Sequence, residues 1–216
     1  RIVLSSRVRL ARNLQDTPFP GRANKSERQN LLQTMKPVIE SLRSMKEGFS
    51  EELSKLKRLE KQILVERHLI SRELASKSQG SAIVLSMDET FCVMINEEDH
   101  LRMQAILPGL QIKEAWKSMN KMDTMLESKL PIAFSSDFGY LTACPTNLGT
   151  GIRVSAMLHL PGLVMAEHMQ QTITAVNKLG LAVRGLYGEG TEALGNVFQV
   201  SNQMTLGESE IQIIER

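Results

Sequence analysis

The chain opens on alternation. In "IVLSSRVRLAR", Ser5, Arg7 and Arg9 share one parity and Ser6, Val8 and Leu10 the other, which predicts a strand with two guanidinium groups on one face. A Pro/Gly loop, "DTPFPGR", follows. The period then changes to that of a helix, with Ser26 and Gln29 as a capping box and Leu32, Met35, Ile39 and Leu42 as the apolar stripe. Pro37 is a candidate kink and Gly48 the predicted end of that helix. A second helix is predicted from Ser50, where Glu51 and Glu52 complement the dipole, with Phe49, Leu53, Leu56 and Ile63 as its stripe and its many lysines and arginines as a solvated face.

The runs "SAIVLSM" and "TFCVMIN", parted by Asp88 and Glu89, read as a hairpin of two buried strands. The segment "LPGLQIKEAWKSMNKMDTMLESKL" reads as a helix with Ile112, Trp116, Met119, Met122 and Leu126 on its core face. Strands are predicted at Ile132 to Phe134 and Gly139 to Thr142, then a loop "CPTNLGTG", a strand "IRVSAMLHL" and a helix from Pro161 to Leu179. A strand "LAVRGLY", a loop "GEGTEALG" and a last strand "NVFQVSN" complete the pattern. No repeat, low-complexity tract or linker interrupts it. Consecutive strands mixed with long helices predict an α+β fold, a sheet with helices packed against it.

Bulk properties narrow the function more than the fold. With 216 residues and 42% apolar content the chain is long enough for one buried core. A net charge of +2, from 26 basic and 24 acidic residues, gives no field that marks a nucleic-acid or membrane binder. No apolar run approaches the ~20 residues of a membrane helix, and no signal-peptide pattern is present. Cys92 and Cys144 stand far apart without CxxC spacing, against a zinc site or a disulfide framework, so a reduced cytoplasm is expected. The chain begins on Arg1, inside a strand-like pattern, and is expected to be a piece of a longer protein.

The charge is placed unevenly. "NEEDHLRMQ" sets acids, a histidine and an arginine directly after the buried run "FCVMI". Glu98 and Arg102, four apart, share a face in either a strand or a helix. An exposed pair of this kind is worth a few tenths of a kcal/mol, roughly 0.3–0.5; at the mouth of a buried strand, charge is costly without a partner or a task. Arg7, Arg9, Arg153 and Arg184 recur beside apolar strand residues. The planar fork of arginine matches phosphate oxygens, so several on one sheet call for a polyanion, with scattered exposed arginines as the bland alternative. The glycine-rich loops "NLGTGIR" and "YGEGTEALG" are candidates for backbone approach to phosphate. No GxxxxGK[ST] occurs, which excludes an ordinary P-loop enzyme. "GEGTEA" matches GxGxxA by chance, being too near the C-terminus for a dinucleotide unit. Cys144 is either a buried structural cysteine or a thiolate favoured by nearby arginines; Cys92 fits the structural role.

Taken together, "SSRVRLARN", "NEEDHLR", "CPTNLGTGIR" and "RGLYGEGTEALGNVFQVSNQ" resemble the guanidino kinase (ATP:guanido phosphotransferase) family along essentially the whole chain. The resemblance implies an antiparallel sheet flanked by helices, glutamine-synthetase-like, with residues 1–216 as the catalytic domain. "MINEEDH", "YGEG" and "EALGNVFQVSNQMTLG" are more similar to the bacterial protein-arginine kinases than to the phosphagen kinases of free arginine or creatine. It implies ATP or ADP and Mg²⁺ as cofactors. Ser5, Arg7, Arg9, Arg102, Arg153 and Arg184 match the nucleotide-phosphate side of the site, and His68 matches a histidine that packs on adenine, though by itself it reads equally as a lone histidine at a helix end. Glu98 matches the catalytic carboxylate, Glu97 a residue that orders Mg²⁺ through water, Cys144 a substrate-side thiolate and Glu189 the second carboxylate on the guanidinium. Implied partners are protein substrates with exposed arginines, a zinc-binding activator, a Clp-type protease and, in a longer chain, a dimer mate. A kinase for free arginine and a catalytically silent nucleotide-binding module are the alternatives. The family's C-terminal dimerisation domain and the phosphagen kinases' N-terminal helical domain have no counterpart here.

Overall fold

The computed structural model describes residues 2–185 and 194–216. Its strands are β1 (Val3–Arg12), β2 (Ser50–Glu52), β3 (Ala82–Leu85), β4 (Phe91–Ile95), β5 (Leu101–Pro108), β6 (Phe134–Ser135), β7 (Gly139–Tyr140), β8 (Ile152–His159), β9 (Leu181–Gly185) and β10 (Val197–Asn202). Its helices are α1 (Lys25–Glu40), α2 (Arg58–Glu66), α3 (Arg72–Ser76), α4 (Ile112–Glu127), α5 (Pro161–Met165), α6 (Met169–Lys178) and α7 (Glu210–Glu215). Eight strands form one sheet in the order β2-β3-β4-β5-β1-β8-β10-β9, every pairing antiparallel, while β6 and β7 form a separate ribbon. This is the expected α+β architecture.

Register gives the two faces of the sheet opposite characters. Leu10 lies opposite Met103 and Ile152, and Met103 opposite Val93, so one face is a continuous apolar layer. Leu32, Met35 and Ile39 of α1, Met119, Met122 and Leu126 of α4 and Ile213 of α7 complete that core. Each such side chain, nearly or fully inaccessible to solvent, contributes on the order of 1.5–3 kcal/mol. The opposite face is divided. At its β3–β4 end Ile83, Leu85, Cys92 and Met94 are covered by Leu53, Leu69, Ile70 and Leu74, residues in and around α3. Across β5, β1 and β8 the same face carries arginines instead.

Several boundaries differ from the sequence pattern. The helix cap is Asn24 with Glu27, not Ser26 with Gln29: Asn24 accepts from the Glu27 amide and Glu27 accepts from the Asn24 amide. α1 runs through Pro37 and ends at Glu40, well before Gly48. Gly48 answers to a different demand, since a Cβ there would strike the Leu85 carbonyl. The segment predicted as a helix from Ser50 begins as the edge strand β2, because Phe49 and Leu53 both bond to the β3 end of the sheet. Glu51 and Glu52 then serve as edge charges that discourage further pairing. The sequence pattern does not predict β5, whose last residues Leu107 and Pro108 it assigns to the next helix, and α4 starts at Ile112 rather than Leu107. The helix predicted from Pro161 to Leu179 is broken into α5 and α6 at Glu167, whose φ of 58° no helix continues through.

Candidate active site

The charged segment is the turn of the β4–β5 hairpin, closed by the Asn96 amide on the His100 carbonyl at 2.9 Å. Its residues divide the work. Asn96 donates its side-chain amide to the carbonyls of Gly80 at 2.7 Å and Arg28 at 3.0 Å. Asp99 accepts from Asn13 Nδ2 at 2.6 Å and from the Ala143 amide at 2.7 Å. His100 Nδ1 accepts from the Leu14 amide at 3.0 Å, so its Nε2 carries the proton and donates to Pro18 O at 2.9 Å. These residues fix the turn to the strands around it, leaving Glu97 and Glu98 for chemistry.

Arg102 pairs with Glu97, not with the Glu98 that its spacing suggested. Glu97 is fully buried; its Oε1 also accepts from Ser71 and its Oε2 from the Glu98 amide at 3.3 Å. Burial pushes that carboxyl up, but Arg102 and the hydrogen bonds hold it below its ordinary value. Glu98 has the reverse balance. Burial and the charges of Asp99, Glu97 and Glu73 push it above its ordinary value, against the pull of Arg102. Adjacent carboxylates are therefore tuned apart, one a fixed anion and one a proton acceptor.

Arg7 and Arg9 of β1, Arg102 of β5 and Arg153 of β8 lie on the same face of the sheet, Arg9 directly opposite Arg153. Burial and the charges of Arg102 and Arg153 lower Arg7 to about 10, and the same causes lower Arg9 and Arg153. A guanidinium is basic enough to stay charged in proteins at neutral pH. Arg7 donates to Gln199 Oε1 at 3.0 Å and Arg153 to the Asn202 carbonyl at 3.3 Å, and among the described residues neither forms an ion pair with an acid. Mutually repelling cations held together by a sheet fit a polyphosphate, whose charge would relieve them. Arg184 lies exposed on β9, close enough to Arg153 to lower it further.

Ser5, Arg7, His68, Ile106 and Met157 line a narrow cleft next to these cations. His68, held at a φ of 59°, thus stands beside apolar walls suited to a flat ring. Arg7 belongs both to the cation face and to this cleft, and Arg102 ties that face to the turn through Glu97.

The match to known proteins agrees with this geometry. Residues 30–216 match the model of the ATP:guanido phosphotransferase C-terminal catalytic domain. The chain belongs to the ATP:guanido phosphotransferase family. It is 53% identical to a protein-arginine kinase of Pelotomaculum thermopropionicum and 50% to one of Moorella thermoacetica, over 99% of this chain in both, covering 61% and 62% of those proteins. The chain thus spans about three fifths of the length of these curated relatives. Among solved structures, the duplicated taurocyamine kinase of Schistosoma mansoni with bound transition-state-analogue components superposes with a TM-score of 0.89 at 27% identity, over 100% of this chain and 31% of that one. Lombricine kinase gives 0.83 at 26%, over 99% and 62%.

For a guanido phosphotransferase domain, the remaining residues fall into place unequally. Cys144 is half-buried, 3.0 Å from Thr146 Oγ1, and its negative charge would act on Arg153. The Asp99 bond to the Ala143 amide draws Cys144 and Glu98, each one residue away, to the same end of the sheet. Cys92 is structural: its thiol is buried, donates to Leu69 O at 2.9 Å, and is pushed up by that burial. Glu189 and the rest of residues 186–193, most of the "YGEGTEALG" loop, lie outside the described residues. The glycines of "NLGTGIR" serve packing, because a Cβ at Gly149 would strike the Thr205 carbonyl and one at Gly151 the Ala11 carbonyl, while the Gly149 amide bonds to the Tyr140 carbonyl and not outward. No group of three His, Cys, Asp or Glu able to hold a metal occurs among the described residues.

Sequence reasoning missed Arg12, Asn13 and Asp123. Arg12 and Asp123 form a buried bidentate pair, Nη2 to Oδ2 at 2.6 Å and Nε to Oδ1 at 3.1 Å. The available signal was that Arg12 breaks the arginine parity of its strand and points to the helical side, where only a paired charge is tolerated.

Proposed function

We propose that this domain transfers the γ-phosphoryl group of ATP to the guanidinium of arginine residues in proteins. The observation that carries the reading is the union of an arginine-lined sheet face with a turn carboxylate whose basicity is raised. Arg7, Arg9, Arg102 and Arg153 bind the phosphates, with Arg184 closing the outer side, and the cleft at Ser5 and His68 takes the base. Glu97 anchors Arg102 and would be the residue to order the water of a Mg²⁺ bound with the nucleotide, which would supply neutralisation of the phosphate charge.

Arginine is protonated at neutral pH, with a pKa above ~12, and becomes a nucleophile only as a proton leaves. Glu98 pairs with the guanidinium, aligns one nitrogen with the γ-phosphorus and takes that proton as the N–P bond forms and the bond to the β-phosphate oxygen breaks, releasing ADP. The arginines stabilise the phosphoryl group in passage. Cys144 faces the guanidinium from the substrate side, and the family resemblance assigns Glu189 the role of its second carboxylate partner.

The choice of protein over free arginine is supported by the curated relatives, which are named protein-arginine kinases. On that reading the enzyme works in the cytoplasm, with a zinc-binding activator, feeds a Clp-type protease and dimerises within a longer chain. Unpaired Cys92 and Cys144 support a reducing compartment, and no helix among the described residues is long and apolar enough to cross a membrane. The test is incubation with Mg·ATP and either an arginine-rich unfolded protein or free arginine, scoring phosphoarginine by mass spectrometry under non-acidic conditions. Phosphate on protein arginine is expected. Transfer to the free amino acid alone would make the chain a phosphagen kinase, and ADP binding without transfer to either would leave a nucleotide-binding module.

A further inference from the structure

The loop of residues 141–149 carries Cys144 and is held to the sheet at both stems by one side chain that does not reach the cleft. Arg12 is 1% exposed, and each of its donor nitrogens is used. Nε and Nη2 grip Asp123 of α4, and Nη1 donates to the carbonyls of Ala11 and Thr150, each at 2.9 Å. Its guanidinium plane stacks on Tyr140, with Cζ 3.4 Å from the ring centroid. Tyr140 immediately precedes the loop and Thr150 immediately follows it. A Cβ on Gly151 would lie 2.6 Å from Arg12 Nη1 and 2.7 Å from Ala11 O, so the glycine before Arg153 is the residue that lets the strand close over Arg12.

Neighbouring contacts complete the hold. Asn13 donates to Leu141 O at 3.0 Å, and Asp99 accepts from the Ala143 amide. Thr205 Oγ1 donates to Leu148 O at 2.7 Å and to Thr146 O at 3.1 Å. Tyr140 itself is tied to α4 through Glu127.

We propose that Arg12 is a positioning residue that clamps both stems of the loop and so fixes the Cys144 thiol against Arg153 and the acceptor end of the site. The proposal rests on the phosphotransfer reading for its kinetic part only. Its geometric part, where Cys144 is held, can be read without any turnover. A residue needed only for folding would stabilise all parts of the site together, whereas this clamp leaves the phosphate-binding strands to their own ladder and acts on the acceptor side.

The decisive comparison is Tyr140→Leu against Tyr140→Phe, with Arg12→Lys beside them. Phenylalanine keeps the aromatic face under the guanidinium and leucine removes it. In Tyr140→Leu, kcat is expected to fall on the order of 10²-fold, the scale of a misplacement near 1 Å, with KM for ATP and ADP affinity unchanged. The rate of Cys144 alkylation by iodoacetamide at one fixed pH should rise in the same variant as the loop loosens, with buried Cys92 as the internal reference, and Tyr140→Phe should restore both. An alkylation rate and kcat unchanged in Tyr140→Leu would overturn the proposal. So would loss of ADP binding in step with thermal stability, which would make the clamp purely structural. Absence of phosphoarginine in the wild-type chain would count against the phosphotransfer reading alone, since the alkylation rate still reports on the clamp. Arg12→Lys, if folded, should behave as Tyr140→Leu; if unfolded, the tyrosine pair decides.

Discussion

Arg9 of β1 and Arg153 of β8 are direct cross-strand partners, two cations facing each other at a position where neighbouring strands ordinarily place complementary groups. Arg102 and Arg7 add to the repulsion that lowers Arg9. Like charges directly opposite each other cost roughly 0.2–1 kcal/mol, a cost that a bound polyphosphate would reverse. Strain of this kind at a site is the signature of ligand binding placed above stability.

Arg9→Gln should therefore stabilise the ligand-free domain while removing its response to nucleotide. A gain of up to ~1 kcal/mol raises the melting temperature by about 2–4 °C in a chain of this size, and the upward shift normally given by ADP should largely vanish. Differential scanning fluorimetry with and without ADP reads both. A variant that melts lower than wild type and still responds to ADP would place Arg9 outside the phosphate site.

Glu98→Gln follows the same logic at the catalytic turn. Because burial and neighbouring acids raise the folded-state pKa, ionised Glu98 is a burden on the folded state: its contribution is fully present below the unfolded pKa and is lost as pH rises through the folded one. Glutamine should remove that burden, holding or slightly raising stability at pH 7, while transfer falls by about 10²–10⁴-fold with ADP affinity retained. In the wild type, kcat should fall as pH drops through the Glu98 pKa, and that limb should be absent from any residual activity of the variant. Transfer at the wild-type rate would remove the proposed base.

The strands were legible because their periods were clean: alternation in β1 and β8 and the apolar runs of β3 and β4 each specify one register. The arginine face was legible too, since parity alone puts Arg7 and Arg9 together and the chemistry of arginine supplies the anion. Pairing was not. Glu98 and Arg102 share a spacing, but the tightness of the turn gives Arg102 to Glu97, which no period encodes. α2 is likewise a place where a stripe misleads, since Phe49 and Ile63 stay exposed and the helix starts eight residues after the predicted Ser50. For Arg12, parity signals a buried, paired charge but cannot name its partners, since Asp123, Tyr140 and Thr150 lie more than a hundred residues away.

His100 should make the domain acid-sensitive. Burial lowers its folded-state pKa below the ordinary 6.5, although Pro18 O and the charge of Asp99 oppose that shift. A histidine held neutral contributes stability that is full above the unfolded pKa and is lost as pH falls toward the folded one. Protonation would also put a proton on Nδ1, where the Leu14 amide is bound. Unfolding free energies from urea titrations measured downward from pH 7 should decline by up to ~1.4 kcal/mol per pH unit, and His100→Asn should flatten part of that slope. His68 is lowered as well, by burial and Arg7, so His68→Asn supplies the control. A wild-type profile that stays flat below pH 6.5 would show that His100 protonates freely and that the turn is not locked as described.

Glu97 offers the test of how metal and anchor are divided. Both of its oxygens are held by Ser71, Arg102 and the Glu98 amide, so its hold on Arg102 does not depend on metal. Glu97→Gln keeps the shape but removes the charge opposite Arg102, freeing that guanidinium to swing from its place on the phosphate face. ADP affinity should then fall by roughly 1–3 kcal/mol, and by a similar factor in EDTA and in excess Mg²⁺. Calorimetry across a Mg²⁺ series separates the two roles. A loss confined to Mg²⁺-containing buffer would assign Glu97 to the metal's water shell, whereas a loss shared by both conditions assigns it to Arg102, with the water contact an addition to that anchor.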